Sequence, residues 1–109
     1  MSGLKREDYV LRQVRAVAAM LARIAGLRID GATDEARLEL ERAYSLLLGP
    51  RGDLIRRVDP KTAATLLGSP ETIQTLAQLL REEAAQEPDA DRKLALEARA
   101  AELASQAAS

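Results

Sequence analysis

Cysteine, histidine, tryptophan and phenylalanine are all missing from these 109 residues. The first two absences remove disulfides, thiolate nucleophiles, imidazole bases and the usual ligands of zinc, copper and haem iron. Metal and cofactor are therefore both expected to be none, and any catalysis would fall to Asp, Glu, Lys, Tyr and Ser/Thr. No run approaches the ~18 apolar residues of a membrane span. The opening MSGLKRED leads into a charged amphipathic stretch instead of an apolar signal core, so the expected setting is the cytoplasm, away from membrane. Tyr9 and Tyr44 are the only aromatics, although hydrophobic residues make up 47% of the chain. The core must be built from Leu, Ile, Val and many alanines. Alanine is the strongest helix former and lets helices approach toward the short end of the usual ~8 to 10 Å spacing, whereas sheets favour the β-branched and aromatic residues that are scarce here. The expected fold class is all-α, in one domain over residues 1–109.

Charge of one sign is not in excess: 16 Lys/Arg stand against 17 Asp/Glu. It is segregated, however. Residues 1–28 carry six cations and two anions, 29–50 two and five, 51–68 four and two, and 69–109 four and eight. Blocks alternating in sign can complement one another within a fold or across an interface.

Apolar periodicity and punctuation predict five helices. The first runs from Lys5 to Ala25, with Val10, Val14, Val17, Leu21 and Ile24 as its buried stripe. At 100° per residue Lys5, Arg12, Arg15 and Arg23 gather on the opposite side, with Ala16, Ala19 and Ala22 beside them, a basic ridge that a partner can approach. Gly26 and Gly31 flank a turn. Thr33 is the expected N-cap of a second helix that ends at Leu48 before Gly49-Pro50, with Asp34 and Glu35 in its first turn. Its inward residues are Ala36, Leu40, Ala43, Tyr44 and Leu47, and Arg37–Glu41 and Glu39–Arg42 are spaced to pair. Residues 51–58 read as a connector anchored by Leu54, Ile55 and Val58, with room for one helical turn. Asp59-Pro60 and Ser69-Pro70 then announce two helix starts, predicting helices from Pro60 to Leu67, stopped by Gly68, and from Pro70 to Gln86. The fifth, from Ala90 to Gln106, carries two apolar rows: Leu94, Ala98, Ala101 and Leu96, Ala100, Leu103, Ala107. One row can bury against the preceding helix. The second needs either the Pro60–Leu67 helix folding over it or the same helix of another copy. In the second case Leu38 of the second helix extends the patch, and Leu38, Leu96, Ala100 and Leu103 are the candidate self-association residues of a homodimer, against a monomer in which Arg92, Lys93 and Arg99 lay their stems over these small residues.

Gly31, Ala36, Leu40 and Ala43 fall where a tetratricopeptide repeat (TPR) places its turn and the small and large residues of its second helix. Over nearly its whole length, through DYVLRQVRAVAAMLARIAGLR, DEARLELERAYSLLLG and LAQLLREEAAQEPDADRKLALEARAAELA, the chain resembles a family of small bacterial TPR-like proteins of uncharacterised function. The resemblance implies antiparallel helix pairs with one short middle helix and bears on the fold more than on any activity; such helix pairs, in a chain with no catalytic constellation, read as a protein–protein interaction module without catalysis. Glu39-Glu41 and Glu82-Glu83 read as solvated faces, with no apolar pocket to perturb them. Arg12, Arg15 and Arg23 are the candidate contacts to a protein partner.

The alternative is a DNA-binding regulator using residues 59–82. AATLLGSPETIQTLAQLL has the look of a helix-turn-helix, with Glu71, Thr72, Gln74, Thr75, Gln78 and Arg81 on the would-be recognition helix. A single cation there neutralises few phosphates, so nucleic acid ranks below a protein as the expected partner.

Overall fold

A Schellman turn folds the chain back on itself for the first time. Gly31 adopts φ 81°, and the amides of Gly31 and Ala32 donate to the carbonyls of Arg28 and Leu27 at 3.1 and 2.9 Å. This is the left-handed closure that glycine adopts without steric penalty. The computed structural model describes residues 2–108, with side chains from residue 8 onward. Among the described residues there are six α-helices, one 3₁₀ turn and no strand: α1 (Ser2–Ile29), α2 (Thr33–Leu48), the 3₁₀ turn (Gly49–Arg51), α3 (Gly52–Arg57), α4 (Pro60–Leu67), α5 (Pro70–Gln86) and α6 (Ala90–Ala108).

The helices starting at Pro60 and Pro70 match the sequence expectation because their signals are local. The Asp59 carboxylate accepts the Thr62 amide at 3.1 Å, and the Ser69 hydroxyl accepts that of Thr72 at 3.2 Å. Hydrogen bonds from the Thr62 side chain and backbone hold the Asp59 carboxyl below its ordinary value. Gly68 closes α4 at φ 80°. Elsewhere the structure corrects the expectation. Gly26 lies inside α1, which continues for a further turn because Leu27 packs on the core and Arg28 finds a carboxylate on α5. Those contacts offset the roughly 0.5–1 kcal/mol that a mid-helix glycine costs relative to alanine. Ala32, not Thr33, is the N-cap residue of α2 and has no side-chain bond; Thr33 donates instead to the Gly31 carbonyl at 3.5 Å. The connector forms the short helix α3, as allowed for, and buries Ile55, but Leu54, expected as an anchor, is exposed. The pair expected between Arg37 and Glu41 gives way to Arg56–Glu41 at 3.2 Å, whereas Glu39–Arg42 forms at 2.6 Å.

Packing is organised around α5. The pairs α1–α2 and α5–α6 make the two most extensive helix contacts; α5 also packs on both α1 and α2, and α4 lies over α6. Nine of the 17 residues of α5 are buried, which only a helix covered on several sides achieves. The core joins Val17 and Ile24 of α1, Ala36, Leu40, Ala43 and Tyr44 of α2, Leu76, Leu79 and Leu80 of α5, and Ala100 and Leu103 of α6. Alanines at the helix contacts allow this close approach, with Tyr44 as the one aromatic ring in the core.

The molecule measures 46 × 25 × 23 Å. Its length is that of α1, whose 28 residues span about 42 Å. The helix α2 has only 16 residues, and Gln13 already meets the Leu46 carbonyl near its far end. The N-terminal part of α1 therefore outruns α2. Val17 and Ile24 are fully buried, whereas Val10 and Val14, expected on the same stripe, are only half-buried.

Candidate interaction surface

On the outer side of α1 the side chains of Arg12, Arg15 and Arg23 are all exposed, with exposed Ala16, Ala19 and Ala22 among them. Lys5, expected on the same ridge, has its side chain outside the described residues. None of the three arginines forms an ion pair with a described carboxylate; Arg12 bonds only the Asp8 carbonyl, at 3.4 Å. Arg12 stands between two open depressions. One, of about 350 Å³, is lined by Asp8, Leu11, Arg12 and Arg15, and the other, of about 450 Å³, by Tyr9, Arg12, Gln13 and Leu46. Tyr9 is 61% exposed and Leu46 42%. An exposed tyrosine and exposed arginines near one end of α1 are residue types on which interfaces concentrate their energy.

Two other arginines are committed to the fold, and the sequence did not single them out. Arg28 holds Glu82 through Nε at 2.8 Å and Nη2 at 3.4 Å, tying the end of α1 to α5. Its hydrogen bond to Glu82 raises the guanidinium pKa further. Arg56 of α3 lies 3.9 Å over the Tyr44 ring and reaches Glu41 at 3.2 Å and Glu83 at 3.3 Å. The Tyr44 hydroxyl donates to Glu83 at 2.5 Å. Burial, then the charge of Glu83 and its hydrogen bond, push the phenol pKa well above the ordinary tyrosine range, so Tyr44 is a fixed neutral donor. Glu82 and Glu83 are thus corrected from solvated faces to inter-helix ties. Neither tie is adjacent in sequence: Arg28 and Glu82 lie 54 residues apart.

Beside this cluster, a cavity of about 390 Å³ runs between α2 and the α5–α6 turn, lined by Arg37, Leu40, Glu41, Glu83, Gln86, Glu87, Pro88 and Arg92. It mixes both signs of charge, and Arg92 meets Glu87 only at 3.9 Å. Among the described residues no group of three or more His, Cys, Asp or Glu is placed to hold a metal, and no helix is long and apolar enough to cross a membrane.

The self-association residues are divided by the structure. Leu38 is 54% exposed, as expected, but Ala100 and Leu103 are fully buried and Leu96 packs against the same core. The row they form faces α5 and α4, so it is not a surface for a second copy; the exposed row of α6 is the other one, Leu94, Ala98 and Ala101. The DNA-reading surface is also depleted. Thr72 and Thr75 are buried, their hydroxyls donating to the Ser69 hydroxyl and the Glu71 carbonyl, and α5 is covered by α1, α2 and α6. Gln74, Gln78 and Arg81 stay exposed, a single cation among them. In a fluorescence anisotropy titration with mixed duplex DNA at low salt, we expect no saturable binding below the micromolar range. Tight, salt-sensitive binding would make α5 the functional element.

No protein family, curated protein or solved structure matches this chain.

Proposed function

We propose that this chain is a TPR-like helical interaction module that receives an acidic protein partner on the outer face of α1, in a cytoplasmic setting and without catalysis. The observation that carries the reading is the contrast among arginines. Arg28 and Arg56 are held by carboxylates of the fold, whereas Arg12, Arg15 and Arg23 stand exposed without a described carboxylate, Arg12 and Arg15 of them close to Tyr9 and Leu11 where α1 outruns its neighbours. An acidic partner would supply the missing charge and cover the apolar residues at the helix end. The TPR-like description draws support from α5 packing against both helices of the preceding pair, as successive repeats do in a stack.

The test is a calorimetric titration with a synthetic amphipathic helical peptide carrying Leu on one side and Glu on its flanks. Wild type should bind it in a salt-sensitive manner. Changing Arg12, Arg15 and Arg23 together to Gln should weaken binding at least tenfold while the melting temperature barely moves, because surface substitutions usually act within ~0.5 kcal/mol. Equal binding by the triple variant would overturn the proposal, and a large fall in stability would show that the ridge belongs to the fold.

A further inference from the structure

The face of α6 that the fold leaves uncovered carries the opposite charge to the uncovered face of α1. Leu94, 65% exposed, lies there with exposed Ala98 and Ala101, and around them stand Asp91, Glu97 and Glu102, all exposed and none in an ion pair with a described cation. Lys93 is at the edge of this face. The remaining cations of α6 turn elsewhere, Arg92 toward Glu87 and Arg99 to the Ile55 carbonyl at 2.8 Å. The outer face of α1 has the same construction with the sign reversed: Arg12, Arg15 and Arg23 around Ala16, Ala19 and Ala22, with Asp8 as the anion at one end.

The two charge runs also match in length. Arg12 and Arg23 are eleven residue steps apart along their helix, as are Asp91 and Glu102, about 16 Å in each case. An antiparallel pairing that sets Arg12 against Glu102 and Arg23 against Asp91 brings Leu94 opposite Ala19 and Ala22. Side chains this small permit the short helix spacing at which such ion pairs form over a dry seam. Because α5 lies between the α1–α2 pair and α6, the two faces point away from each other and are free together in one molecule.

We propose that the acidic partner of α1 is the α6 face of a second copy of this chain, so that copies associate head to tail. The interface is heterologous: each copy spends its α1 face on one neighbour and its α6 face on another, so association continues beyond a dimer unless the rotation closes a ring. Arg–carboxylate pairs at the seam are partly solvated, so association weakens with salt. This inference rests on the reading of α1 as an acceptor of acidic surfaces and names its occupant.

Sedimentation velocity tests it on two charge-reversed chains, Arg12→Glu/Arg15→Glu/Arg23→Glu and Asp91→Lys/Glu97→Lys/Glu102→Lys. Wild type should show concentration-dependent species larger than a dimer at low salt, reduced at high salt. Each variant alone presents two like-charged faces and should lose association at least tenfold, while an equimolar mixture recovers it, since each complements the other at both seams. Circular dichroism melts establish that the variants are folded; should either triple variant fail to fold, Arg12→Glu and Glu102→Arg form a smaller reciprocal pair read in the same way. A monomeric wild type at low salt overturns the proposal, as do assembly that stops at a two-fold dimer and a mixture that stays monomeric. A monomeric wild type that still binds the acidic peptide through its arginines leaves the α1 reading standing and removes only the self-association; one that does neither removes both.

Discussion

Leu103→Glu should leave the chain unfolded, or nearly so, at room temperature. Leu103 has no exposed surface and sits where α6 closes on the core. Truncating such a leucine to alanine costs about 2–5 kcal/mol. A glutamate there adds several kcal/mol for removing a carboxylate from water without a partner. Against a total stability of about 5–15 kcal/mol for a domain of this size, the sum leaves little or nothing. The control is Leu94→Glu, the same change on the same helix at a position 65% exposed, which should stay within ~0.5 kcal/mol of wild type. Urea denaturation followed by circular dichroism distinguishes them. If both variants unfold at the midpoint of wild type, α6 is not packed by the row containing Leu103.

Tyr44 should be the most costly single polar-ended side chain to remove. It is 2% exposed, supports the Arg56 guanidinium with its ring and anchors Glu83 with its hydroxyl. Tyr44→Ala takes away a large buried ring and should cost about 3–5 kcal/mol. Tyr44→Phe keeps the ring and its contact with Arg56 and loses one hydrogen bond, while Glu83 retains Arg56 as a donor. Its cost should be about 1 kcal/mol. The gap between the two variants in denaturant unfolding measures the packing share of the cluster. A Phe variant as unstable as the Ala variant would mean that the hydroxyl–carboxylate bond, not the ring, holds α2 to α5.

The exposed arginines of α1 were legible from the helical wheel because the opposite side of the helix carries an unbroken apolar stripe, and that asymmetry needs no partner to be read. The two apolar rows of α6 were a different matter. Both combine leucine with alanine at helical spacing, and neither has the surplus of hydrophobicity that would decide which turns inward. Packing of α6 against α5, with α4 over it, decided it by covering the row of Leu96, Ala100 and Leu103. The same limit hid the contrast among arginines. Nothing in the composition of the first helix separates Arg28, with its carboxylate on α5, from Arg23 five residues earlier, which pairs with no described carboxylate.

By itself the sequence determined what depends on near neighbours along the chain: an all-helical fold from alanine, leucine and the lack of aromatics, the starts of α4 and α5 from Asp-Pro and Ser-Pro, and the inward face of α2 from its period. These are set by backbone dihedrals, caps and periodicities within a few residues, which act before any long-range contact forms. Tertiary structure alone decided the extension of α1 through Gly26, the burial of Ile55 but not Leu54 in the connector, the tying of Glu82 and Glu83 to Arg28, Tyr44 and Arg56, and the exposure of Leu94 in place of Leu103. Each depends on which helix arrives opposite. The free energy of burying a methyl group or pairing a charge belongs to two segments at once, and neither segment carries that information alone.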